Sequence, residues 1–184
     1  ALINLVSAEP TSVTPPDQCV AVLVKDHNGR SGGTGAYIEN NLVVTCNHVV
    51  KDRKDDDDVE VRFPNWQTIK GKVIQVDKDL DLALIKLESE PDCSPFKLGS
   101  LTNKLAVMGY GRGTFKMSWG TLDESKWGKW RRVLNARARS GDSGGPVLNE
   151  HGEFVGTLWG SNEEATYFTP VDKIEKLLLR YYND

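Results

Sequence analysis

Apolar residues along the chain fall in short runs, each closed by a cluster of Gly, Asn, Asp, Pro or Ser. Runs of this length, rich in Val, Ile and Leu and bounded by turn residues, predict β-strands rather than helices. "CVAVLVK" (19–25) reads as the first strand and "DHNGRSGG" as the turn after it. "GAYIE" and "NLVVTCNHVV" predict a hairpin-like pair around Asn40-Asn41. "VEVRF" (59–63), "GKVIQVD" (71–77) and "LALIKL" (82–87) continue the series. Beyond a Pro/Cys/Ser stretch at 91–95 come "LAVMGYG" (105–111), "SWGTL" (118–122), "RRVLNARA" (131–138), "GPVLN", "EFVGTLWG" and "ATYFTPV". Only the tail changes period: "PVDKIEKLLLRYY" has apolar residues at 174, 177, 178 and 181, a helical spacing, with Asp172 near its start. The expected architecture is all-β, a sandwich or a pair of small barrels, with one C-terminal helix.

Composition adds boundaries to that picture. A chain of 184 residues with 39% hydrophobic and 27% charged residues is long enough to bury a substantial core in one domain or two packed halves. The net charge of −3 argues against a dedicated nucleic-acid partner. No apolar run approaches the ~18–20 residues that span a bilayer, so no membrane segment is expected. The opening "ALINLVSAEP" has no initiator Met and no basic n-region, and a removed signal peptide would leave no trace in it. Neither the compartment nor the oligomeric state follows from these features. The stretch "SAEPTSVTPPDQ" reads as an extended arm, and the charge run "KDRKDDDD" (51–58) as a solvated loop whose spacing fits no calcium site. Cys19, Cys46 and Cys93 are an odd number at wide spacings, which predicts buried free thiols and no metal site.

The chemistry concentrates in Gly141-Asp142-Ser143-Gly144-Gly145-Pro146. A serine hydroxyl becomes a nucleophile when a base takes its proton, and the oxyanion it creates needs backbone N–H donors. Gly141 has the backbone freedom to turn its own N–H and that of Ser143 into one oxyanion pocket. Of the three histidines, His27 and His151 sit in turns, whereas His48 ends the apolar run "LVVTCNHVV" and is the candidate base. A carboxylate must orient the imidazole. Asp77, Asp79 and Asp81 all precede or enter "LALIKL"; Asp81 directly abuts the strand, Asp79 is second, and Asp77 reads as a turn residue. The chain order His, Asp, Ser is one of the orders in which such triads are built.

On these residues the sequence resembles the chymotrypsin-like (trypsin-fold) serine peptidases. "TCNHVV", "DLALIKL" and "SGDSGGPV" resemble the histidine, aspartate and serine motifs of that family, and "FVGTLWGS" its substrate-binding strand. The compact length is similar to HtrA-like, bacterial glutamyl-endopeptidase-like and viral members. The resemblance implies a single peptidase domain over 1–184: two packed six-stranded antiparallel β-barrels, about 19–90 and 103–170, and a C-terminal helix at about 171–182. It implies a serine endopeptidase needing no cofactor, with His48, Asp81 and Ser143 catalytic, Gly141 and Ser143 as the oxyanion hole, and a protein or peptide substrate. Arg137, Ala138, Arg139 and Ser140, opposite Leu158, Trp159 and Gly160, then line the specificity pocket, where an arginine would favour an acidic side chain before the cut. Leu158 departs from the histidine that glutamyl endopeptidases carry in that strand. The bridged cysteine after the histidine and the "IVGG" activation terminus are also absent, so Asp142 is expected to pair with another cation or with backbone N–H groups. "SKWGKWRR" (125–132) reads as a solvated hairpin. The alternatives are a polyprotein-processing protease of the same fold, an esterase, or a silent binding module.

Overall fold

The computed structural model describes residues 13–55 and 59–184, so the first part of the predicted arm and the end of the charge run lie outside the described residues. Among the described residues, twelve strands form two closed antiparallel barrels. The first contains β1 (Cys19–Asp26), β2 (Gly29–Glu39), β3 (Leu42–Thr45), β4 (Val59–Arg62), β5 (Thr68–Asp77) and β6 (Leu82–Leu87), in the order β1-β2-β3-β6-β5-β4. The second contains β7 (Lys104–Gly109), β8 (Lys116–Trp127), β9 (Trp130–Leu134), β10 (Pro146–Leu148), β11 (Phe154–Ser161) and β12 (Thr166–Pro170), in the order β10-β11-β12-β9-β8-β7. A short helix α1 (Asn47–Val50) follows β3, and α2 (Val171–Asn183) closes the chain. The all-β class, the two six-stranded barrels and the C-terminal helix are those the sequence predicts.

Strand patterning explains why the barrels pack on each other. Successive side chains of a strand point to opposite faces. In β6, Ala83, Ile85 and Leu87 fill the first barrel's interior with Val20, Val22 and Val61, while Leu82 and Leu84 face outward. A strand buried on both faces reads as a continuous apolar run, which is the character of "LALIKL". The outward pair joins Ala106, Met108 and Leu148 of the second barrel and Ile174, Leu177 and Leu178 of α2 in one shared core. The second barrel's interior is separate, built on Leu105, Val107, Val133, Val155 and Phe168.

Helix α2 thus follows the second barrel but locks the first. Beyond its apolar stripe, Arg180 donates to Asp77 Oδ2 (2.6 Å) and the Tyr182 hydroxyl donates to Glu39 Oε2 (2.6 Å).

Two local departures from the predicted pattern bear on function. The stretch 26–33 is mostly strand: only His27 and Asn28 turn, and β2 starts at Gly29. The predicted strand through residue 50 ends at Thr45, because its partner β6 begins only at Leu82. The Asp81 carbonyl instead accepts the Asn47 N–H (3.0 Å), and the chain coils into α1. Of the three free cysteines, Cys19 and Cys46 are buried, whereas Cys93 is only half-buried.

Candidate active site

His48 projects from α1 at the junction between the barrels, and its side chain is 40% exposed. Asp81 occupies the turn before β6 with φ 55°, a left-handed conformation that aspartate tolerates better than most residues. That turn aims its whole polar end at α1. Oδ2 meets His48 Nδ1 at 2.5 Å, Oδ1 accepts the His48 backbone N–H at 2.8 Å, and the carbonyl holds Asn47. One carboxylate therefore fixes the imidazole, with Nδ1 as the ring nitrogen that faces Asp81. Burial pushes the Asp81 carboxyl up, but the His48 ring and backbone hydrogen bonds, the His48 charge and the Trp159 indole more than offset it, leaving the group below the usual carboxylate range.

The neighbouring aspartates go elsewhere. Asp77 accepts the Leu80 N–H (2.9 Å) and pairs with Arg180, and Asp79 is exposed and pairs with Lys129 (3.1 Å).

Ser143 lies in the loop between β9 and β10, and two glycines with positive φ shape that loop. Gly141 (φ 95°) and Gly144 (φ 89°) stand in a region that L side chains rarely enter. Gly144 is also hemmed in: a Cβ there would sit 2.0 Å from the Thr34 carbonyl oxygen. The loop is stitched to both barrels. Gly144 N–H donates to Leu158 O (2.8 Å), Leu158 N–H to Gly145 O (2.8 Å), and Thr34 N–H to Ser143 O (3.0 Å). The buried Thr34 hydroxyl donates to Gly141 O (2.9 Å) and accepts the Tyr110 N–H (2.9 Å). Sequence reasoning missed Thr34; its only signal is a lone hydroxyl in the glycine-rich "GGTG" of β2. The Ser143 hydroxyl donates to Trp159 O (3.2 Å), and among the described contacts no hydrogen bond joins it to His48.

The two arginines upstream of Ser143 divide their tasks. Arg139 is committed to the loop itself: its guanidinium donates to both Asp142 carboxylate oxygens, to Gly109 O (3.1 Å) and to Thr114 O (2.8 Å). Asp142 also accepts the N–H of Gly111 (2.7 Å) and of Arg139 (2.7 Å), so the buried carboxylate has both kinds of partner expected from the sequence. Arg137 is exposed and makes no ion pair among the described contacts. Ala138 packs against the second barrel's core, Ser140 is exposed, and the Leu158 side chain is buried inside that core. Gly160 is half-buried, at the end of β11 beside Trp159.

Trp159 reaches across the barrel junction, and its indole N–H donates to Asp81 Oδ2 (3.0 Å). Trp130 stacks on it with ring centroids 4.7 Å apart, and Lys129 lies 4.6 Å above the Trp130 ring while binding Asp79. Through Trp130 and Lys129 the β8–β9 hairpin, expected to be solvated, packs against Trp159 and Asp79. Indole burial and a cation–π contact outweigh solvation there.

Cys46, His48 and Asp81 lie within 4.8 Å of one another, a donor set that a metal would test. The Cys46 thiol donates to Leu158 O (3.3 Å), and burial pushes its pKa well up. Among the described residues no helix is long and apolar enough to cross a membrane.

Comparison with known proteins places the chain in a family. Residues 33–156, more than half of the chain, match the family described as "Trypsin-like peptidase domain". "Putative protease Do-like 14" of Arabidopsis thaliana is 27% identical over 82% of this chain and 41% of its own length. "Uncharacterized protein y4bJ" of Sinorhizobium fredii is also 27% identical, over 83% of this chain and 26% of its own. The chain thus spans less than half the length of these curated relatives. Among solved structures, the serine endoprotease from Yersinia pestis superposes with a TM-score of 0.82 at 18% identity, covering 93% of this chain and 65% of that one. The Rv3671c protease from M. tuberculosis in its active form gives 0.78 at 20% identity, covering 93% and 92%. At such identities the superpositions establish the fold.

Proposed function

The chain belongs to the trypsin-like peptidase domain family, and on that premise we propose that it is a serine endopeptidase that cleaves peptide bonds through an acyl-enzyme on Ser143. His48 is the general base and Asp81 its orienting carboxylate. The observation that carries the reading is the double grip of Asp81 on His48, through ring Nδ1 and backbone N–H, beside a serine held between two positive-φ glycines.

The chemistry follows from that arrangement. The Ser143 hydroxyl leaves the Trp159 carbonyl by rotation about χ1, gives its proton to His48 Nε2 and attacks the scissile carbonyl carbon. The carbonyl oxygen becomes an oxyanion that accepts the N–H groups of Gly141 and Ser143, which donate to no protein acceptor among the described contacts. Asp81 stabilises the imidazolium. His48 then protonates the leaving amine, and the acyl–Ser143 ester is hydrolysed by water that His48 activates in turn.

Specificity before the cut rests on Arg137. An exposed guanidinium without an acidic partner among the described contacts is available to pair with an acidic side chain, whereas Arg139 is already engaged by Asp142.

A fluorophosphonate probe tests the nucleophile. Ser143 is expected to label, and Ser143→Ala and His48→Ala are each expected to abolish peptide cleavage. Cleavage that survives either substitution overturns the assignment, and turnover of simple esters without peptides points to an esterase. Digestion of a peptide library reads the pocket: Asp or Glu enriched before the cut supports Arg137, and Lys or Arg enriched there refutes it.

A further inference from the structure

A cleft of about 610 Å³ opens beside the Ser143 loop between residues of both barrels, with Gly33 and Gly141 on its wall and Arg137 not among its lining residues. Gly33 lies directly under the Ser143 loop: a Cβ on it would meet Ser143 O at 3.0 Å. The outer walls carry Arg30, Arg62 and Arg112, and none of the three pairs with a carboxylate among the described contacts. Arg62 lies 5.5 Å from the ring centroid of Trp66, whose side chain is 77% exposed at the β4–β5 turn (φ 69°). Arg30 and Arg62 also line an adjoining cleft of about 380 Å³ with Lys25 and Lys70, where Glu60 is the one carboxylate on the wall. Such a concentration of cations without an ion pair among the described contacts stands out in a chain whose net charge is −3.

Strand register gives the reach. Thr34, which holds Ser143 O, pairs with Ala21, and Ala21 pairs with Arg62. Two strand spacings put the Arg62 backbone about 10 Å from Thr34, and Arg30, four residues back along β2, lies about 13 Å from it. An extended peptide covers those distances in roughly three to four residues.

We propose that this cleft takes the leaving-group side of the substrate and selects acidic residues about three or four positions beyond the scissile bond. Arg30, Arg62 and Arg112 receive the carboxylates, and the exposed Trp66 face covers the backbone between them. Guanidinium groups suit the task because they present paired N–H donors to a carboxylate, and stacking on Trp66 pre-orients the Arg62 fork. This selection is distinct from any acidic preference at Arg137, which acts before the cut.

The inference rests on the endopeptidase reading, and its test separates the two. Peptides with one fixed sequence before the cut, and Glu, Gln or Lys at the third and fourth positions after it, are assayed for kcat/KM at low and moderate salt. Glu peptides are expected to be cleaved roughly tenfold faster than Lys peptides, with the gap narrowing as salt rises. The double variant Arg30→Glu/Arg62→Glu is expected to invert the order, with thermal melting confirming that it folds. If that double variant does not fold, Arg112→Glu, on the opposite barrel, is expected to shrink the gap. Equal cleavage of all three peptides with Ser143 still labelled by fluorophosphonate overturns this inference alone. No labelling and no cleavage of any peptide overturns the endopeptidase reading, and this inference with it.

Discussion

The indole N–H of Trp159 donates to Asp81 Oδ2 at 3.0 Å, the same oxygen that meets His48 Nδ1. A residue on the second barrel therefore holds the carboxylate that the first barrel offers to the histidine, across the cleft between them. Trp130 backs the indole by stacking, and Lys129 ties the same hairpin to Asp79, two residues before Asp81.

Trp159→Phe keeps an aromatic ring against Trp130 but removes the indole N–H together with part of the fused ring. A hydrogen bond to a charged acceptor is worth about 1.5–3 kcal/mol, so kcat is expected to fall about tenfold or somewhat more with KM little changed. Steady-state kinetics on one peptide decide this: a rise in KM at constant kcat would make Trp159 a substrate contact only.

Arg139→Met leaves the buried Asp142 carboxylate with backbone N–H donors but no cation. Breaking one side of a buried ion pair costs about 3 kcal/mol or more, read as a lower urea midpoint. Adding Asp142→Asn is expected to recover part of that loss, since no uncompensated charge remains. Wild-type stability of Arg139→Met would show that the loop does not depend on the pair.

Thr34→Val removes a buried hydroxyl that serves Gly141 O and Tyr110 N–H together. Leaving such groups unpaired costs about 1–3 kcal/mol. Slower fluorophosphonate labelling of Ser143 is expected alongside the lost stability, and Thr34→Ser is expected to restore both. Labelling at the wild-type rate in Thr34→Val would detach the hydroxyl from the loop's geometry.

The Asp81 carboxyl titrates below its usual range in the fold, while the unfolded chain binds its proton near pH 3.9. Around that pH the unfolded state holds more protons, so the Asp81 contribution is complete above about pH 5 and is lost as pH falls through the folded value. Urea midpoints between pH 7 and pH 3 are expected to drop more steeply for the wild type than for Asp81→Asn. Parallel curves would contradict the linkage.

Much of the architecture was legible in the chain because barrels are built from local signals. "LALIKL" is apolar throughout since both of its faces are buried, and the tail's period of 3.6 is the stripe of α2 that enters the shared core. The Ser143 loop announced itself through glycines, whose φ values of 95° and 89° no other residue adopts as readily. The end of β3 was not legible: "LVVTCNHVV" reads as one strand, and only the late start of β6 cuts it at Thr45.

The sequence by itself determined the strand and turn punctuation, the closing helix and the serine loop, all properties of residues adjacent in the chain. Tertiary structure alone decided the partners. Asp81 meets Trp159 across 78 residues, and Thr34 meets Gly141 across 107. A side chain's donors and acceptors state what it can bind, and which partner it binds depends on which strands the barrels bring together.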